Sequence, residues 1–295
     1  MASFVQAVFM KNVLFVYPPF APVTTPPYSI TNLVSFLDNN LPDSFSCEVF
    51  DANLMIQRTI APQFFSFIKE MKTFDHSLYV REVKKYDELM QPFFTTLDKG
   101  SVEKLYQKIT AKDPTYVAFS VLFESQALSL PPLLQKLRSQ GYRVVCGGPA
   151  ITEDIKRESD AILQNELELL SYLLGRDVAH DDLNFESVLD FSRFSLSSYA
   201  TPQPAIAFRT TTSCYYRKCS YCVHPTHNAW YYEYPLAYIR NALEKSGARH
   251  VFFTDDLIHV KRLRELGKVC SDLGIRWMCQ LRPSKELTPE ILEEL

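Results

Sequence analysis

Short apolar runs alternate with stretches of helical periodicity through the first 175 residues. Val13-Leu14-Phe15-Val16 is closed by Tyr17-Pro18-Pro19, and Cys47-Glu48-Val49-Phe50 is closed by Asp51. Tyr116-Val117-Ala118-Phe119 ends at Ser120, Arg143-Val144-Val145-Cys146 runs into Gly147-Gly148-Pro149, and Ala161-Ile162-Leu163 is a fifth run. Unbroken apolar runs of this length are what strands buried on both faces require. Between them Ile30, Leu33, Val34 and Leu37 recur at helical intervals, residues 54–112 read as mostly helical, and helices are predicted over 131–137 and 166–174. Strands alternating with helices predict right-handed crossovers and an α/β fold with a parallel sheet. Ligands of such sheets bind at the C-terminal strand ends, here Tyr17-Pro18-Pro19, Asp51, Ser120 and Gly147-Gly148-Pro149. The glycine pair suits either close approach of a ligand or a plain tight turn. With no GxGxxG present, the usual dinucleotide site is not expected.

Residues 176–200 lack periodicity and read as a linker between a first domain over 10–175 and a second over 201–295. The second pattern holds three βα units. Its strands are Ala205-Ile206-Ala207-Phe208, His250-Val251-Phe252-Phe253 and Arg276-Trp277-Met278-Cys279, with helices predicted over 236–245, over 261–273 and from Pro289. Three units cannot close a barrel and leave an edge strand, so a fragment or a covered edge is expected.

Composition narrows the class. The 295 residues hold 46% hydrophobic and 22% charged side chains, which are ordinary globular values. The 31 basic and 34 acidic groups give a net charge of −3, with no basic excess to suggest nucleic acid or an anionic membrane. No apolar run is long enough for a spanning helix. Glycine is scarce at 8 residues, which gives Gly147-Gly148 weight. Seven cysteines, an odd number in a long chain, fit a secreted disulfide framework poorly. The N-terminus has no basic n-region, so no signal peptide is expected and a cytoplasmic location is; Met10, just before the first strand, is an alternative start.

The chemistry is concentrated in Cys214-Tyr215-Tyr216-Arg217-Lys218-Cys219-Ser220-Tyr221-Cys222. Three thiols on one loop after a strand select zinc or an iron–sulfur cluster among common metals. Arg217 and Lys218 would offset the negative charge of such a centre. Structural zinc needs four ligands, with His224 or His227 as the fourth. A four-iron cluster on three cysteines instead leaves one iron open to a small molecule.

With this loop the chain resembles the radical S-adenosylmethionine enzymes that carry an N-terminal cobalamin-binding domain. The resemblance runs from the Pro18-Pro19 strand end through Asp51, Ser120 and Gly147-Gly148-Pro149 to the cysteine loop, Thr254-Asp255-Asp256 and Arg282. It implies a Rossmann-like cobalamin domain followed by the first half of a (β/α) partial TIM barrel. A [4Fe-4S] cluster would sit on Cys214, Cys219 and Cys222, its open iron chelating S-adenosylmethionine, which one electron cleaves to a 5′-deoxyadenosyl radical. Cobalamin would serve methyl transfer, rearrangement or cyclisation. An electron donor of flavodoxin or ferredoxin type and a small-molecule or peptide substrate are implied partners. The loop is CxxxxCxxC, one residue longer than the family's usual CxxxCxxC. The family's acidic Gly-Glu-Gly-Glu corresponds only to Gln164-Asn165-Glu166-Leu167-Glu168, and no DxHxxG supplies a lower cobalt ligand, since His76 after Asp75 lacks the glycine. A non-catalytic cobalamin module and a zinc-stabilised α/β protein are the alternatives.

Individual residues carry two readings each. Asp255 and Asp256 are either a solvated helix N-cap or a wall of the S-adenosylmethionine site. Tyr221 is expected to cover the cluster. The run Trp230-Tyr231-Tyr232-Glu233-Tyr234 is more often core than a stacking platform. Cys270 and Cys279 read as buried hydrophobes.

Overall fold

In the computed structural model of the protein, which describes residues 10–71, 75–179, 183, 189–222 and 231–295, the run from Val13 to Tyr17 is buried throughout and forms most of β1 (Lys11–Tyr17). Complete burial of side chains such as Val13, Leu14 and Phe15 contributes about 1.5–3 kcal/mol each. The chain continues through α1 (Tyr28–Asn40) to β2 (Phe45–Asp51). The helical stretch that follows is four helices, α2 (Ala52–Ile60), α3 (Pro62–Glu70), α4 (His76–Met90) and α5 (Lys99–Thr110). Its breaks are chemical. Pro62 can only start a helix, and the Asp75 and Asp98 carboxylates accept the Leu78 and Ser101 N–H groups as caps.

Next come β3 (Tyr116–Ser120), α6 (Glu124–Ser129), α7 (Pro131–Ser139), β4 (Arg143–Gly147), α8 (Glu153–Arg157), β5 (Ala161–Ile162) and α9 (Glu166–Leu174). The five strands form one parallel sheet in the order β2-β1-β3-β4-β5, a doubly wound order consistent with a Rossmann-like fold. Leu14 and Val16 of β1, Val117 and Phe119 of β3, and Val144 of β4 pack with Leu105 and Ile109 of α5 and Leu133 and Leu137 of α7 in one buried cluster.

The chain divides into two compact units, Met1–Val23 with Ser29–Ser187 and Thr24–Tyr28 with Val188–Leu295. In the second, β6 (Ala205–Phe208), α10 (Leu236–Ser246), β7 (His250–Phe253), α11 (Val260–Asp272), β8 (Arg276–Cys279) and α12 (Pro289–Glu294) follow in order. The three strands are parallel and ordered β6-β7-β8. Ile206, Phe208, Val251 and Phe253 share a buried cluster with Ile239 and Leu243 of α10 and Leu263 and Leu266 of α11.

Residues 189–200, read from sequence as the end of a linker, belong to this core. Leu189 and Phe191 join its cluster and Tyr199 is buried, around 3-10 turns at Phe191–Arg193 and Leu196–Ser198. Too short for periodicity, these turns hide their apolar side chains from pattern analysis. Among the described residues no helix is long and apolar enough to cross a membrane.

Candidate functional site

The expected ligand residues of the first unit meet at one edge of its sheet. Tyr17 is paired with Asp51, Val16 with Phe119, and Ser120 with Gly147, so the C-terminal ends of β2, β1, β3 and β4 lie side by side. β1 and β3 flank the point where the strand order reverses, the usual position of a ligand crevice. Several of these groups are engaged by the chain itself. Asp51 caps α2 by accepting the Leu54 N–H at 2.7 Å. Pro18 and Pro19 are buried, and their carbonyls accept from Gln126 Nε2 at 2.7 Å and Ser129 Oγ at 2.6 Å. Gln126 Oε1 in turn accepts the Leu122 and Phe123 N–H groups. The Ser120 hydroxyl donates to that of Ser29 at 2.9 Å. Burial raises the Tyr17 phenol, with the nearby Asp51 charge acting in the same direction.

Neighbouring backbone approaches both members of the glycine pair closely. A Cβ on Gly147 would stand 2.5 Å from the Leu163 carbonyl oxygen, and one on Gly148, at φ +116°, would overlap the Val121 carbonyl oxygen. The chain's own tight packing therefore requires both glycines. Pro149 is exposed beyond them. Glu166 opens α9, with its Oε1 accepting from Asn32 Nδ2 of α1 at 2.9 Å.

In the second unit the cysteine loop leaves β6 and returns beside its own start. Thr212 N–H donates to the Tyr232 carbonyl at 3.0 Å, Tyr234 N–H to the Thr210 carbonyl at 2.9 Å, and Thr211 bridges Glu233 in antiparallel fashion. Arg262 of α11 donates to the Tyr234 carbonyl. Asp255, at the end of β7, holds the outgoing limb. Its carboxylate accepts Thr210 N–H at 2.9 Å, Thr211 N–H at 2.7 Å and the Thr211 hydroxyl at 2.8 Å. Burial pushes the Asp255 carboxyl above its ordinary value, and the Thr211 and Thr210 donors pull it back. Thr254 N–H donates to the Phe208 carbonyl at 2.9 Å, and Asp256 pairs with Arg209 at 2.9 Å. Asp255 is thus not a solvated cap: it is a buried clamp on the loop base. Sequence reasoning missed its partners Thr210 and Thr211, whose adjacency to the Cys214 loop was the available signal.

Above that base Cys214, Cys219 and Cys222 are half-buried free thiols. Tyr215 stacks on His259 with ring centres 3.4 Å apart, and the Arg282 guanidinium lies 4.8 Å from the Tyr216 ring centre. Arg282 is therefore brought to the loop. Arg217 adopts φ 51°, turning the chain between the first two cysteines. Cys219 to Cys222 form a turn, with Cys222 N–H donating to the Cys219 carbonyl at 3.2 Å. Tyr221 is 88% exposed at its tip, and the neighbouring Cys219 raises its phenol. Of the aromatic run, Tyr234 packs with Tyr238 while Tyr232 is exposed; Trp230, like His224 and His227, lies outside the described residues.

Among the described residues no three His, Cys, Asp or Glu side chains are grouped as metal ligands. The donor set nonetheless fits a soft metal or iron–sulfur centre in its chemistry: three accessible thiols on one loop, beside Arg217, Lys218 and Arg282. Comparison with protein-family models gives no match, and comparison with curated proteins gives none.

Proposed function

We propose that the protein is a radical S-adenosylmethionine enzyme whose second unit is the opening part of a (β/α) barrel and whose first unit is a cobalamin-binding domain. The observation that carries the reading is the placement of three free, partly exposed thiols on one loop at the C-terminal end of β6, with Asp255 clamping its base and Arg282 at its flank. Helices covering one face of a parallel three-stranded sheet agree with a barrel segment. Cys214, Cys219 and Cys222 would hold a [4Fe-4S] cluster, which when bound supplies the single electron that cleaves the sulfonium of S-adenosylmethionine. Metal binding and the gathering of the three thiols are then one event, as in other sites assembled by their ion.

The chain's own part is positioning. Asp255 fixes where the loop begins, the Thr212–Tyr232 and Thr210–Tyr234 backbone bonds fix where it returns, and the Tyr215–His259 stack ties the residue after Cys214 to the start of α11. Arg282 adds positive charge at the loop, over the Tyr216 ring. In the first unit, Tyr17, Asp51, Ser120 and Gly147 would frame cobalamin at the sheet edge, Glu166 lying at the start of α9. The substrate would be a small molecule or peptide, and a donor of flavodoxin or ferredoxin type would supply the electron.

Anaerobic incubation with ferrous iron and sulfide tests the reading without any turnover. The expected product is brown, with the broad visible absorption of a four-iron cluster, and Cys219→Ala loses both colour and iron. A colourless protein that takes up one zinc and no iron overturns it.

A further inference from the structure

The turn over Cys219–Cys222 has a second chemical meaning. A carbonyl-to-amide bond between residues three apart defines a β-turn, in which the end Cα atoms are less than about 7 Å apart. Disulfides span Cα separations of roughly 4.4–6.8 Å. The backbone therefore presents Cys219 and Cys222 at bridging range, and both thiols are accessible. Cys214 is held differently. Left-handed Arg217 redirects the chain after it, and its neighbour Tyr215 is stacked on His259 of the α11 start.

We propose that Cys219 and Cys222 form a reversible disulfide, a modification that closes the loop to metal and leaves Cys214 free. With a small disulfide such as oxidised glutathione as oxidant, one cysteine thiolate attacks a glutathione sulfur and expels one glutathione thiolate, leaving a mixed disulfide. The second cysteine thiolate attacks the protein sulfur of that intermediate and expels the other glutathione thiolate. One protein S–S bond forms, one glutathione S–S bond breaks, and two electrons pass to the glutathione pair, which also collects the two protons. The short two-residue spacer makes the second attack intramolecular, so the mixed disulfide does not accumulate. The consequence for iron rests on the cluster reading above; the disulfide does not.

Trypsin separates the players, because cleavage after Arg209, Arg217, Lys218 and Arg240 puts Cys214 in one peptide and both Cys219 and Cys222 in another. The full chain is equilibrated with oxidised glutathione, remaining thiols are blocked with N-ethylmaleimide under denaturing conditions, and the peptides are weighed. The expected result is a Cys219–Cys222 peptide two hydrogens lighter and unblocked, a Cys214 peptide carrying one maleimide, and full reversal by dithiothreitol. Cys214→Ala leaves the bridge intact, whereas Cys222→Ser leaves glutathione on Cys219. Blocked Cys219 and Cys222 after oxidation, or a bridge that includes Cys214, overturns the proposal. Oxidised protein should take up no iron until reduced; equal uptake by both forms overturns the closing of the loop. If the bridge forms and the reduced protein also fails to bind iron, the cluster reading has failed and the disulfide stands.

Discussion

Removing the Asp255 carboxylate asks how much of the second unit's stability runs through the base of the cysteine loop. In Asp255→Ala the Thr210 and Thr211 N–H groups lose their acceptor in a buried setting, while the Thr211 hydroxyl keeps the Ser213 carbonyl at 3.3 Å. At roughly 1–3 kcal/mol for each buried group left unpaired, the gross cost of the two is about 2–6 kcal/mol. The carboxylate's own desolvation, which raises its pKa, is relieved at the same time. A net loss of about 2–4 kcal/mol is expected. Asp255→Asn keeps the volume and one acceptor oxygen but turns an N–H toward a backbone donor, so about half that loss is expected. Urea unfolding followed by tryptophan fluorescence is the assay, because Trp277 packs against the second unit's core and no tryptophan occurs in the first 229 positions of the sequence. With a slope of about 1–3 kcal/mol per molar urea, the alanine variant should unfold about 0.7–4 M earlier. The pH dependence follows from the raised pKa. The folded state holds the Asp255 proton more tightly than the unfolded chain, so this contribution is fully present below the ordinary carboxylate pKa and fades as pH rises through the raised value. The advantage of the native protein over Asp255→Asn should therefore widen on acidification. Midpoints for both variants matching the native protein would refute the clamp, and a gap that narrows in acid would refute the raised carboxyl.

Two further outcomes follow from packing. Gly148→Ala forces a Cβ against the Val121 carbonyl at a positive φ and should cost about 2–4 kcal/mol, read as a lower thermal midpoint by circular dichroism; an unchanged midpoint contradicts the close approach. Iodoacetamide at mildly alkaline pH should label Cys214, Cys219 and Cys222 of the native protein rapidly and spare Cys146 and Cys270, whose thiols burial pushes up to about 12, and peptide mass mapping with fast labelling of Cys146 would count against the described core.

The strands were readable because β1, β3 and β4 are buried on both faces and must be written as unbroken apolar runs. Their ends were readable too, since proline, aspartate, serine and glycine close those runs. Helix α6 was not. Glu124-Ser125-Gln126-Ala127-Leu128-Ser129 has little apolar periodicity, and its work is polar and long-range: Gln126 and Ser129 satisfy the Pro18 and Pro19 carbonyls more than a hundred positions away. Such a bond leaves no local trace. Residues 189–200 escaped for a related reason, because Leu189 and Phe191 enter the core from short turns with no repeat to count.

The site divides along the same line. Cysteine spacing exposes the candidate ligands, because soft-metal chemistry needs those atoms whatever holds them. The holding is done by ordinary residues: two threonines, a buried aspartate and backbone bonds to Tyr232 and Tyr234. Their types recur everywhere, so only proximity in the folded chain gives them meaning. Under the proposed function this division has a physical reason. The base must be rigid before any metal arrives, and a buried carboxylate with three donors makes it so. The sulfurs must stay accessible until then, because a loop already closed on itself would have to break contacts to admit a cluster. The turn at Cys219–Cys222, formed while the thiols remain free, is the point at which those two demands meet.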